Sequence, residues 1–265
     1  MTDAAPAPRP PSRASRIAFG TLGVAGELLI TLGVLLLAFL VWQLWWTDVE
    51  GNRAQAEVVR ELPRMPVPTA APSDEPTAQG PLVAEPRYDE PPVAAEPEHA
   101  TTFATIQVPR WDGEPERPVS QGTDRPTVLD VLGVGHYEGT AMPGDVGNVG
   151  LAAHRTTYAK PFHRIAELKK GDAIVLRTAT LDGGTGSDTW YVYRVTSHEV
   201  VTPRQTEVIA PVPGEPGAVP TERFLTLTTC HPMYSARERY VVHAVLDYWA
   251  PVADGTPAEL LEDAS

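Results

Sequence analysis

Apolar residues follow three different rhythms along this chain. From Leu28 to Trp46 (LLITLGVLLLAFLVWQLWW) nearly every position is apolar, and as a helix rising about 1.5 Å per residue the run would span roughly 28 Å, close to the hydrocarbon thickness of a bilayer. The pattern predicts one transmembrane anchor within residues 17–47. A cleaved signal peptide has a shorter apolar region followed by small residues, whereas this run ends in Trp42, Trp45 and Trp46, which suit an interfacial belt. Residues 48–100 mix proline, alanine and acids with neither helical nor strand period, and are expected to form a disordered, semi-extended tether. From Phe103 onward short apolar or alternating runs recur: 103–108, 127–134, 148–154, 172–178, 189–196, 223–229 and 239–248. They read as strands separated by turns such as Pro143-Gly144-Asp145 and Asp182-Gly183-Gly184, with short helical candidates only at 161–168 and 205–209. Many short strands and little helix predict an all-β domain over 101–250, a closed or nearly closed barrel, because closure removes sticky edges. Residues 251–265 are expected to be a flexible tail, and a fragment starting near Thr101 is expected to fold and work alone.

Charge adds orientation. Arg9, Arg13 and Arg16 precede the span while Asp48 and Glu50 follow it, so residues 1–16 are expected in the cytoplasm and the bulk of the chain outside. Glu27 lies at the cytoplasmic edge of the span, where it can snorkel or stay neutral. The net charge of −13 leaves no basic surplus for nucleic-acid phosphates. No clustered histidines and cysteines stand at zinc spacing, and the sequence calls for no metal and no cofactor.

One cysteine, Cys230, is the candidate chemistry. RFLTLTT leads into it as a strand, HPMYSARE turns the chain, and RYVVHAVLDY returns, so Cys230 and Arg239 are expected to face each other across a hairpin mouth. A cation beside a thiol favours the thiolate, the nucleophilic form. The plainer alternative is a small buried hydrophobe, although a free thiol outside the cell is exposed to oxidation. Of the seven histidines, His99 falls in the tether, His231 adjoins the cysteine, and His243 sits deeper in the returning strand as a core histidine. His154 occupies a rim position like that of Cys230, yet spacing alone does not separate it from His136, nor Arg239 from Arg237, which shares its strand parity.

The stretches GVGHYEGTAMPGDVGNVGLAAHRTTYAKPF and TLTTCHPMYSARERY closely resemble the class E sortases of actinobacteria, cysteine transpeptidases with a TLxTC signature, a downstream arginine and an upstream histidine. The resemblance runs from about Phe103 to Trp249. It implies a barrel of about eight strands in which Cys230 attacks the Thr–Gly carbonyl of a C-terminal sorting signal, LAxTG or LPxTG, on a surface protein. His154 would move the protons, Arg239 would hold the substrate carbonyl or oxyanion, and Thr229 would line the groove beside the thiol. Tyr137 is a candidate to contact the second residue of the signal, the alternative being a structural aromatic that fills the barrel rim. The amine that resolves the thioacyl enzyme would belong to a lipid-linked peptidoglycan precursor. Rival readings are a cysteine hydrolase and a tethered scaffold with an inert thiol.

Overall fold

The computed structural model describes residues 13–68, 82–181 and 184–261, so 182 and 183 of the expected turn and most of residues 1–16 lie outside the described residues. The first element is a helix, α1, Arg13–Glu61, whose apolar part from Leu22 to Trp46 exposes large side chains all round. An isotropically apolar helix is satisfied by lipid, and this one has a mean hydropathy of 2.5 over its most apolar window. The helix runs on past residue 47, the expected end of the anchor, to Glu61.

Eight strands follow: β1 Thr102–Gln107, β2 Arg117–Gln121, β3 Val134–His136, β4 Gly147–Ala152, β5 Ala173–Thr178, β6 Thr189–Val201, β7 Arg223–His231 and β8 Glu238–Pro251. They close in the order β1-β2-β3-β4-β7-β8-β6-β5, with β2–β3 and β4–β7 parallel and the other pairs antiparallel. The period of two decides what fills the barrel: Val149 and Leu151, Ile174 and Leu176, Tyr191 and Tyr193, Leu225 and Leu227, and Val242 and Ala244 point inward to one core.

Two sequence expectations need correction here. The apolar run 127–134 is not a strand over most of its length but a helical turn, Arg125–Leu129, with strand only at Val134–His136. Asp124 caps that turn, its carboxylate accepting from the Thr127 backbone N–H at 3.0 Å, and Pro126 presets the turn's first residues. The second concerns the tether. Residues 47–61 belong to α1, and 82–100 form a strap on the barrel rather than a disordered leash; 69–81 fall outside the described residues. Ala84 is buried, Arg87 pairs with Trp249 through backbone bonds of 2.9 and 3.1 Å, and the Tyr191 hydroxyl donates to the Pro92 carbonyl at 2.6 Å. Alanine and proline lose little side-chain entropy on burial, so a segment poor in bulky residues can still be ordered by lying flat on Trp190, Val192, Tyr248 and Ala250, the outer apolar face of β5, β6 and β8.

The expected flexible tail is also docked as far as Leu261. Val252 is buried, Leu260 packs on the same outer face, and the Glu259 carboxylate meets Arg194 and the Tyr248 hydroxyl. Strap and tail touch: Ala84 donates to the Thr256 carbonyl at 2.8 Å, and a Cβ on Gly255 would lie 2.3 Å from the Leu82 carbonyl oxygen, so only glycine fits there.

Candidate active site

Strand β7 carries the thiol to the barrel rim. Its odd positions Leu225, Leu227 and Thr229 point inward or are buried, while Thr226, Thr228 and Cys230 share the outer face. Cys230 is half-buried with a free thiol, and the β7–β8 register sets it opposite Arg239. The parallel β4–β7 ladder ends with Ala152 opposite Thr228, and Ala153 still donates to the Thr228 carbonyl at 3.3 Å. Two residues on, His154 comes level with Cys230. Cys230 and Arg239 therefore face each other on β7 and β8, and His154 lies two residues past the end of β4, on the Cys230 side of the same rim.

Each member is held differently. His154 Nε2 lies 2.6 Å from Asp130 Oδ1, and its ring leans on Tyr158 with centroids 5.1 Å apart. Arg239 spends Nη1 on the carbonyls of Ala236 and Glu238, both at 3.0 Å. Its Nε–Nη2 edge, the side that fits an oxyanion, has no protein partner among the described residues. Arg237 precedes β8 and is exposed, so the register separates the two arginines where composition could not.

Other histidines fall away. His136 is fully buried between Gln121 and the Ala141 carbonyl, and burial pulls its pKa down. His243 bonds Thr226 at 2.9 Å and Glu199 at 3.1 Å, a satisfied core histidine as expected.

Thr229 requires a correction. It is buried on the face opposite Cys230, and its hydroxyl donates to the Ala153 carbonyl at 2.7 Å, so it steadies the residue before His154 and does not line the groove. Thr228, at the variable position of the signature, shares the thiol's face. The Tyr137 hydroxyl lies 3.0 Å from Thr228 Oγ1, which places Tyr137 on that face too. Farther back along β4 and β7, Thr140, Ala141, Val146, Asn148, Ile209 and Pro211 line a cavity of about 360 Å³. A cavity of about 400 Å³ between the strap and the β5–β6 connection holds none of these groups.

Two residues at the site escaped sequence reasoning. Asp130 looked like the polar position of a strand, and only the helical turn brings it to His154. Arg155 is buried behind His154; its Nη1 donates to His231 Nδ1 at 2.8 Å and approaches the Cys230 carbonyl at 3.4 Å, while its guanidinium covers the Tyr240 ring at 5.3 Å. Burial lowers its pKa, against the pull of Tyr240 and Cys230. The adjacent letters His-Arg were the available signal, since successive extended residues diverge and can brace one site from two sides.

A sequence model described as the Sortase domain matches residues 106–247. The chain belongs to the sortase family. It is 35% identical to Sortase SrtE1 of Streptomyces coelicolor over 89% of its own length, spanning 60% of that relative, and 34% identical to Sortase SrtE2 of the same organism over 87% of its length and 83% of the relative's. Among solved structures it is similar to the SrtA sortase from Actinomyces oris, with a TM-score of 0.61 and 40% identity over 68% of this chain and 99% of that one. The class E resemblance and the closed eight-stranded barrel agree with these matches.

Proposed function

We propose that this chain is a membrane-anchored class E sortase that cleaves a C-terminal LAxTG or LPxTG signal between Thr and Gly and joins the surface protein to an amine of a lipid-linked cell-wall precursor. The facing of Cys230 and Arg239 on β7 and β8, with His154 just past the end of the neighbouring β4, supports the reading. In it, the Cys230 thiolate attacks the threonine carbonyl carbon, and Arg239 holds the developing oxyanion through its open edge. The C–N bond breaks as His154 gives its proton to the departing glycine nitrogen, leaving a thioester on Cys230. The incoming amine loses a proton to His154 and attacks that thioester; the C–S bond breaks and the thiolate returns. Asp130 steadies the imidazolium at each stage.

Strand β7 gives the scale for an extended peptide laid beside it. From Cys230 back to Phe224, opposite Asn148 at the 360 Å³ cavity, is six residues of strand, roughly 20 Å. With its threonine at the thiol, the leucine of an extended signal lies three residues back, roughly 10 Å away and about halfway to that cavity, whose far end is left for residues that precede the signal. Tyr137 stands between the two ends, where its ring favours alanine over proline at the second position. The anchor faces its Arg-flanked N-terminus to the cytoplasm and holds the barrel outside, with 101–250 as the catalytic domain.

The test is a purified full-length chain in detergent, given an LAxTG peptide and excess amine, with products resolved by mass spectrometry. The expected result is an amide to the threonine, absent with Cys230→Ala. Arg239→Ala should cost about 3 kcal/mol of transition-state stabilisation, as loss of an oxyanion donor does, and Arg237→Ala little. Free acid with no amide would make the protein a hydrolase, and a folded Cys230→Ala with full activity would rule out the thioester route.

A further inference from the structure

The loop that follows His154 is strained in a way the sortase reaction alone does not require. Tyr158, Ala159 and Lys160 take φ values of +53°, +64° and +41°, three successive side-chain-bearing residues in the left-handed region. Such a run persists only where its surroundings over-determine it. Here the loop presents the Tyr158 ring to His154, so the backbone strain is coupled to the orientation of the base.

What holds the loop is the last part of α1. Asp48, Gly51 and Gln55 recur at helical spacing and share one face. Asp48 Oδ2 pairs with Lys160 Nζ at 2.7 Å. Gly51 lets the helix backbone touch the loop backbone: a Cβ there would sit 2.8 Å from the Ala159 nitrogen. Gln55, 1% exposed, donates through Nε2 to the Tyr158 carbonyl at 3.1 Å and accepts through Oε1 from Arg117 at 3.0 Å. Arg117 is itself buried and reaches Asn52 at 2.7 Å, so the glutamine is fixed at both ends.

We propose that residues 47–61 act as a clamp on the 158–160 loop, with Gln55 a positioning residue that sets His154 through Tyr158. The inference rests on the transpeptidase reading of the site. It makes the end of the anchor helix part of the catalytic apparatus and not merely a spacer.

The experiment uses the full-length chain in detergent with the peptide and amine assay. Gln55→Ala and Gly51→Val should each lower kcat about tenfold or more, with KM for the peptide changed by less than about twofold and the acid–base limbs of the pH–rate profile displaced. Asp48→Lys should lower kcat as well, and adding Lys160→Asp should restore it. Both side chains of that pair are partly exposed, so the exchange stays informative even if Gln55→Ala does not fold. Arg60→Ala, on the solvent side of the same helix, should match the wild type. Unchanged kcat in Gln55→Ala and Gly51→Val, or no recovery in the charge exchange, overturns the clamp. A wild type that makes no amide overturns the transpeptidase reading instead.

Discussion

Asp130 Oδ1 lies 2.6 Å from His154 Nε2, and a carboxylate there does two things: it fixes the ring and, as an acceptor only, fixes which nitrogen carries the proton. An amide can do only the first. Asp130→Asn should therefore lower kcat/KM about tenfold to a hundredfold while peptide binding is retained, as steady-state kinetics with the peptide and amine would show. An unchanged kcat/KM would reduce Asp130 to packing. At this scale the facing of Cys230 and Arg239 was readable, because a hairpin fixes its own register and the two lie nine positions apart in sequence. Asp130 and Arg155 were not readable, since each is brought to the site by a turn whose path depends on tertiary packing. The Thr228–Thr229 pair shows the smaller kind of error: adjacent threonines look alike in sequence, and strand parity puts the one on the thiol's face and the other in the interior.

Among elements, the strap has the chemistry of a clasp. Glu96 accepts from Gly139 N–H at 3.1 Å and from Gln121 at 2.6 Å, and His99 meets Glu138 at 2.9 Å and Asp124 at 3.0 Å, so the strap pins the loop that carries Tyr137 to the turn that carries Asp130. The Glu138 hydrogen bond, aided by Asp124, raises the His99 pKa above its usual 6.5. A histidine with a raised folded-state value adds stability that is fully present below the unfolded value and lost as pH rises through the folded one. The melting temperature of the wild type should thus exceed that of His99→Gln near pH 6 and converge with it near pH 9, a comparison scanning calorimetry can make. An equal gap at both values would mean the contact is steric only. Strand texture was legible for most of the barrel, and the capped turn at 125–129 and the strap were not, because proline and small residues were counted as disorder or punctuation when they served as a cap and a covering layer.

For the whole molecule, the two chain segments flanking the barrel close over the same outer face and onto each other. Removing residues 255–265 would strip the acceptor from the buried Trp190 Nε1, which donates to the Gly255 carbonyl at 3.0 Å, and take Glu259 from Arg194 and Tyr248. One stranded donor costs about 1–3 kcal/mol. For a protein of this size the melting temperature should fall by about 5 °C or more, and a thermal melt of the truncated chain that overlays the full-length one would show the tail to be dispensable. The parallel pairing of β4 with β7 has a further consequence, in time rather than in energy. It joins residues 76 apart in sequence, as Arg155 and His231 are, and no tight turn can make such a pair early. A growing chain presents His154 long before Cys230, and the two come together only when β7 pairs with β4. The topology thereby makes this site one of the last parts of the barrel to assemble.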